Sequence, residues 1–325
     1  MNKKTMFYFL IALVVLTLII NSSYSIPMIY KYNNDEKLDF WITAKIKKAE
    51  HLKTRKIGFK TRNTKTIKNT TNSSKYTKYM PPLEKKYVII NNTIIEATNV
   101  NQIQAYPIGL LIIHHEGELF TCTASVISTN NGNIGLTAAH CLFDHATQTY
   151  YDDIVFSPGY NNGQVGPLGA IRVVQKIVTD EFLNNNDDQF DWGMVKFDFN
   201  MGGHPLQAFT GALGWTFNVG NNTPTTILGY PDEGGLQNCP NDGLTLCAWQ
   251  GITHLVENNE YYVIPNLEIG NGASGAPCMI NYDPNANLGT LYSDYASFDE
   301  LNDEALLPFY NPIEFQALLG EIIGF

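Results

Sequence analysis

The sequence predicts an all-β domain closed by one helix, and three observations carry that expectation. From about Val88 the chain is a series of short apolar runs, namely YPIGLLIIH, FTCTASVI, IGLTAAH, DIVFSP, IRVVQKIVT, DWGMVKFDF, TTILGYP and YYVIP. They are rich in β-branched and aromatic residues and are separated by clusters such as TNNGN and YNNGQVGP, which is how strands joined by turns read. Many short strands at roughly even spacing form a sandwich or barrel. One segment breaks the pattern: NPIEFQALLGEII places proline at a helix start, with Ile313, Ala317 and Leu318 at helical spacing, so a closing helix is expected there. No internal repeat of solenoid or propeller length is visible.

The 325 residues, 44% of them hydrophobic, are enough for a core that needs no staples. The first 25 residues differ from the rest. MNKK is a positively charged start, TMFYFLIALVVLTLII an apolar run, and NSSYS ends in small residues, with Ser23 and Ser25 in a small-x-small pattern. This is the layout of a secretory signal peptide. An uncleaved anchor is the competing reading, because Lys3 and Lys4 would hold the N-terminus inside and the run is only slightly short of a span.

Charge divides the remainder. Residues 26–86 hold 16 Lys+Arg against 5 Asp+Glu, a net of +11, while residues 87–325 hold 3 basic side chains against 26 acidic ones, a net of −23. The basic segment has no sustained apolar period and is rich in Thr, Asn and Lys, a composition that buries too little surface to offset ordering entropy by itself. So basic a run fits nucleic acid, but an exported chain meets little of it, and the segment reads better as a removable pro-segment lying on its own acidic domain. Asn-x-Ser/Thr sequons at Asn69, Asn72, Asn91 and Asn221 are compatible with a glycoprotein.

Five cysteines in an exported chain point to disulfides with one thiol left over. Cys122 and Cys141 bracket two strand-like runs, Cys239 and Cys247 flank a small loop, and Cys278 is then the odd one; spacing alone leaves the connectivity open. No CxxC or HxxxH pair supports a metal site.

Three residues stand out as candidates for chemistry. His140, in TAAHC, follows two small residues that permit close packing, and a histidine there is as readily structural as catalytic. Ser274 lies in GNGASGAPC, where Gly270, Gly272 and Gly275 permit a sharp turn with converging N–H groups; a plain glycine-rich loop is the other reading. Asp191 opens the apolar run DWGMVKF, a good place for a buried carboxylate that orients an imidazole. Asp187 and Asp188 read as solvated, and Asp198 is the weaker competitor. His114, His115, His145, His204 and His254 have no motif around them.

His140, Asp191 and Ser274 come in the order His, Asp, Ser, with gaps of 51 and 83 residues. With that order, the domain resembles the chymotrypsin-like (trypsin-fold) serine peptidases, and within them the secreted glutamyl-endopeptidase-like branch. TAAHC resembles the histidine motif, DWGMVKF the aspartate motif and GASGAP the serine motif. LGYPDEGG followed by AWQG, and EATNVNQIQAYPIG near the start, resemble passages of that branch.

The resemblance implies two antiparallel six-stranded β-barrels, at about 88–200 and 201–310, with a closing helix at about 311–323. It implies a catalytic triad of His140, Asp191 and Ser274, an oxyanion hole from the N–H groups of Gly272 and Ser274, and no cofactor. The substrates would be proteins or peptides, with the pro-segment as an intramolecular partner, no nucleic acid, no membrane after signal cleavage, and a monomeric extracellular enzyme made as a zymogen.

Two features depart from the family. Ala273 stands where animal trypsins carry the aspartate that pairs with the new N-terminus. Leu291 aligns with the histidine that glutamyl endopeptidases use for specificity, so a preference for glutamate is in doubt. Glu268, six residues before Ser274, falls at the pocket floor of trypsin-like enzymes and would favour Lys or Arg at the cut site; a solvated loop is the other reading. The rival functions are an inactive trypsin-fold binding module, secreted or membrane-anchored, and an anchored protein whose polycationic stalk binds anionic polymer.

Overall fold

The computed structural model describes residues 50–51, 55–57, 79–90, 93–97, 106–256 and 261–324. The expected signal peptide at residues 1–25, most of the basic segment and the sequons at Asn69, Asn72 and Asn91 lie outside them. Among the described residues no helix is long and apolar enough to cross a membrane.

Six antiparallel strands form a first barrel: β1 (Ile108–His115), β2 (Glu118–Val126), β3 (Ile134–Thr137), β4 (Asp153–Pro158), β5 (Ile171–Val178) and β6 (Gly193–Phe197). The order β2-β1-β4-β5-β6-β3 closes because β3 also pairs with β2 through Ser125–Leu136 and Val126–Gly135. The apolar runs form strands because each has an inner face to cover: Leu111, Ile113, Val126, Phe156, Val195 and Phe197 fill the interior.

The second barrel uses β7 (Thr223–Gly229), β8 (Cys247–Leu255), β9 (Tyr261–Pro265), β10 (Pro277–Asp283), β11 (Leu288–Asp294), β12 (Ser297–Asp299) and β13 (Glu304–Pro308). Strands β11 and β12 are two halves of one bent segment. Its first half pairs with β10 and its second with β13. Across the bend Tyr295 N–H donates to Ala276 O and Ala296 N–H to Leu306 O, so this one segment closes the sheet. The two barrels and closing helix expected from the resemblance are therefore present.

Residues 79–86, on the basic side of the charge boundary, are joined to this body. Tyr79–Met80 pairs with Trp215–Thr216, and Leu83 exchanges two backbone hydrogen bonds with Ala212.

Helix α1 (Asp180–Asn185) is capped by Thr179, whose Oγ1 accepts from Phe182 N–H at 3.1 Å. Helix α2 (Pro312–Gly324) ends the described chain; Asn311 Oδ1 accepts from Ile313 N–H at 2.9 Å, and proline fits the position after such a cap. Its buried face is Phe315, Leu318, Leu319 and Ile322, and Phe315 packs on Trp215 and Trp192. Ile313, which the spacing placed on the apolar face, is exposed.

Glu314 of α2 meets Glu181 of α1. Burial, then the hydrogen bond and charge of Glu181, and then the charge of Asp180 push the Glu314 carboxyl up to about 8. Its folded value lies above the ordinary 4.5, so the stability it contributes falls as pH rises from 4.5 through about 8. Glu314→Gln is expected to melt near the wild type at about pH 5 and above it at about pH 9. A melting difference that does not grow with pH contradicts this placement.

Candidate active site

The site lies where the barrels meet. A 3-10 turn, Ala139–Cys141, follows β3 and presents His140. Ala138 and Ala139 before it are fully buried, so the small side chains allow the close packing that the sequence indicated. Asp191 ends another 3-10 turn, Asp188–Phe190, just before β6, and is fully buried.

Its two carboxylate oxygens hold His140 at two points. Oδ1 accepts from the His140 backbone N–H at 2.8 Å, and Oδ2 lies 2.8 Å from Nδ1. A carboxylate only accepts, so Nδ1 carries the ring proton and Nε2 is left as a base. Asp187 caps the turn through Gln189 N–H, Asp188 is buried rather than solvated, and Asp198 is exposed. His145 stacks edge-on against Phe143 and Phe182, a packing residue.

Ser274 comes from the loop before β10 and is fully buried. Gly270, Gly272 and Gly275 around it all have positive φ, at 110°, 76° and 84°. At Gly275 glycine is required twice over. A Cβ there would run into Thr137 Oγ1 and Thr123 O and stand 2.8 Å from Ala138 N, so only a bare backbone lets the serine loop sit against the histidine turn. The N–H groups of Gly272 and Ser274 donate to no backbone carbonyl among the described residues. Ser274 Oγ and His140 Nε2 are both buried, and neither has a hydrogen-bond partner among the described residues.

Thr123, which sequence reasoning passed over, ties the serine loop to the first barrel. Its N–H donates to Ser274 O at 2.8 Å and its Oγ1 donates to Gly272 O at 3.0 Å. The same hydroxyl accepts from Tyr230 N–H at 3.1 Å, and the Thr123 carbonyl accepts from Thr137 Oγ1 at 2.7 Å. Beside it the Cys122–Cys141 disulfide joins β2 to the histidine turn, and Cys141 Sγ lies 3.9 Å from Ser274 O. Cys239–Cys247 is the second disulfide, and Cys278 is a buried free thiol. Cys122, His140 and Cys141 cluster closely enough to suggest a metal, but the disulfide leaves no thiolate to bind one.

Behind Asp191 lies a second buried carboxyl, Asp294, whose Oδ1 accepts from Tyr310 O–H at 2.6 Å. Burial raises it well above the ordinary range, the Tyr310 hydrogen bond opposes the rise, and the charge of Asp191 adds to it. Each of these effects acts on the charged form, and burial, the largest of them, shifts Asp294 toward its neutral acid relative to an ordinary carboxyl.

The specificity candidates are placed unequally. Glu268 is partly exposed near the serine loop, and its carbonyl accepts from Gly235 N–H. Leu291 is not at the site: it is buried in the core cluster with Trp215, Met279 and Phe315. The residue of that segment beside Ser274 is Tyr295, whose carbonyl accepts from Gly275 N–H at 2.7 Å.

Two barrels meeting over a His–Asp pair and a glycine-framed serine define the chymotrypsin-like, or trypsin, fold. In sequence the chain is similar to the glutamyl endopeptidase of Bacillus licheniformis, 23% identical over 184 residues, or 56% of this chain. The match spans about half of that relative, 52% of its length. Solved structures of similar fold are the protease Anisep from Arthrobacter nicotinovorans and the thermostable serine protease AL20 from an extremophilic microorganism. Both are 21% identical, with TM-scores of 0.56 and 0.54; they align over 68% and 66% of this chain and 98% and 95% of their own. A Glu endopeptidase is also similar, at 17% identity and a TM-score of 0.52, over 74% of this chain and 98% of its own. No family model matches the chain.

Proposed function

We propose that the protein is a secreted serine endopeptidase, exported by residues 1–25 and made as a precursor whose basic segment, about residues 26–86, is removed. The observation that carries this reading is the two-point grip of Asp191 on His140 beside the glycine-framed Ser274.

Ser274 Oγ attacks a peptide carbonyl as His140 Nε2 takes its proton, and the N–H groups of Gly272 and Ser274 receive the oxyanion. Each such donor contributes roughly 3 to 4 kcal/mol in related chemistry. His140 then gives the proton to the leaving amine, and water, deprotonated by the same nitrogen, releases the acyl group from Ser274. Asp191 holds the tautomer and stabilises the imidazolium. Serine–histidine hydrogen bonds tighten when substrate arrives, which fits Ser274 Oγ and His140 Nε2 having no hydrogen-bond partner among the described residues in the uncut chain.

The enzyme acts outside the cell as a monomer on protein or peptide substrates. Glu268 is the residue assigned to favouring a basic side chain at the cut site. Digestion of a peptide library by the exported, processed protein tests this. Cleavage that disappears in Ser274→Ala is expected, with Lys or Arg enriched before the cut and the enrichment lost in Glu268→Gln. No Ser274-dependent cleavage of any peptide leaves the inactive binding module as the better reading.

Thr123 gives a second check. Thr123→Val keeps the shape but leaves Gly272 O and Tyr230 N–H buried without their partner, at a cost of ~1–3 kcal/mol. Urea unfolding should show that loss, with kcat falling more than KM rises because the oxyanion donors shift. An unchanged kcat would remove Thr123 from the positioning of the serine loop.

A further inference from the structure

Two of the short strands outside the barrels' own ladders come from one stretch of the basic segment. Glu50–His51 pairs in parallel with Phe120–Thr121 of β2, and Arg55–Ile57 pairs in parallel with β12, Ser297–Asp299. Each ends a sheet, one in the first barrel and the other in the second.

Both receiving edges adjoin Ser274. Strand β2 pairs with β3 only through Ser125 and Val126, which opens its edge at Phe120–Thr121. That edge runs straight into Cys122 and Thr123, whose N–H donates to Ser274 O. Ser297 is two residues beyond Tyr295, which is hydrogen-bonded to both Gly275 and Ala276. His51 and Arg55 are four Cα steps apart, so those two Cα atoms lie within ~14 Å of each other. One stretch of chain is thus joined to the first barrel at Glu50–His51 and, four residues on, to the second at Arg55–Ile57.

We infer that these two edges form one strand-addition site flanking Ser274, and that its occupants in the uncut chain are Glu50–His51 on one edge and Arg55–Ile57 on the other. The inference deepens the peptidase reading and rests on it for its consequence: the pro-segment masks the site by main-chain pairing, beyond general charge attraction. Main-chain hydrogen bonds supply the affinity when a strand is added to an open edge. Both pairings are parallel, so an antiparallel peptide, which presents its N–H and C=O groups in the reverse order, is excluded while the segment is in place.

Successive N–H groups of a strand point to opposite sides, so two adjacent prolines remove whichever one faces the edge. The test compares the uncut chain carrying Ser274→Ala with two variants of it. One adds Glu50→Pro, His51→Pro, Lys56→Pro and Ile57→Pro; the other adds Arg55→Gln and Lys56→Gln, which removes two charges and no N–H. Amide hydrogen exchange is read at Phe120–Thr121 and Ser297–Asp299. Exchange about tenfold or more faster in the proline variant, and unchanged in the glutamine variant, is expected. Unchanged exchange in the proline variant, or equal loss of protection in both variants, overturns the inference.

Labelling by an organophosphonate of the same chains with Ser274 intact separates the two readings. Faster labelling in the proline variant supports both. Lost protection with no labelling of any chain leaves the strand pairing standing and the peptidase reading failed. Labelling at one rate in all chains, with protection unchanged, does the reverse.

Discussion

Ser274→Ala and His140→Ala are each expected to lower kcat for peptide hydrolysis on the order of 10⁶-fold, and the double variant to be no worse than either single one. The non-additivity follows from the proposed chemistry, in which nucleophile and base act as one unit. Asp191→Asn should cost about 10⁴-fold for a different reason. Both oxygens of Asp191 accept, one from the His140 backbone N–H and one from Nδ1. An asparagine has one oxygen and one NH₂ group. If the NH₂ faces Nδ1, the ring proton moves to Nε2 and the base is lost; if it faces the backbone N–H, two donors collide. Single-turnover kinetics on one peptide substrate checks the three single variants and the double one. Additive losses in the double variant would mean that Ser274 and His140 do not work together.

Gly275→Ala is the change expected to harm the fold most for the fewest atoms. The residue has φ +84°, and a Cβ would meet Thr137 Oγ1, Thr123 O and the Ala138 amide, all on the first barrel. Strain of ~1–3 kcal/mol from the backbone combines with a similar ~1–3 kcal/mol from overpacking a contact that cannot give way. Denaturant unfolding should show a loss within that combined range, and activity should fall further because the serine loop moves away from His140. A variant of wild-type stability would show that the barrels do not meet as closely as described.

The parts of this molecule that were legible in the sequence are those set by local chemistry. Runs such as IGLLIIHH are buried at six consecutive residues, and no periodicity was needed to read them as a strand. β8 and β11–β12 are among the strands missing from those runs, as are β10 and β13. β8 alternates small and polar residues with few apolar ones, and β11–β12 is bent at Asp294–Ser297, so neither presents a clean run. Leu291 was misplaced for a related reason. Aligning Leu291 with the family's histidine takes no account of the two shifts of register between β10 and β11, one between Cys278 and Met279 and one between Ile280 and Asp283. Tyr295, four residues further on, is therefore what reaches Gly275.

His140, Asp191 and Ser274 were singled out by their order in the chain and by the joint resemblance of their three motifs to one family, since each local pattern by itself also had a structural reading. Thr123 and Asp294 carry no such mark. A threonine beside a cysteine in a strand looks ordinary until its hydroxyl meets Gly272, 149 residues away. Asp294 stands in sequence near the segment that borders the cleft in the family, and nothing local marks it as buried until the fold encloses it with Tyr310.

The central claim is that Ser274 is a nucleophile activated by His140, and covalent labelling tests it most directly. The exported, processed protein is treated with an organophosphonate and the modified residue is located by mass spectrometry of its peptides. The account predicts one adduct, on Ser274, and no adduct in His140→Ala under the same conditions. An unmodified Ser274 in folded protein, or labelling that persists at the same rate without His140, would contradict it.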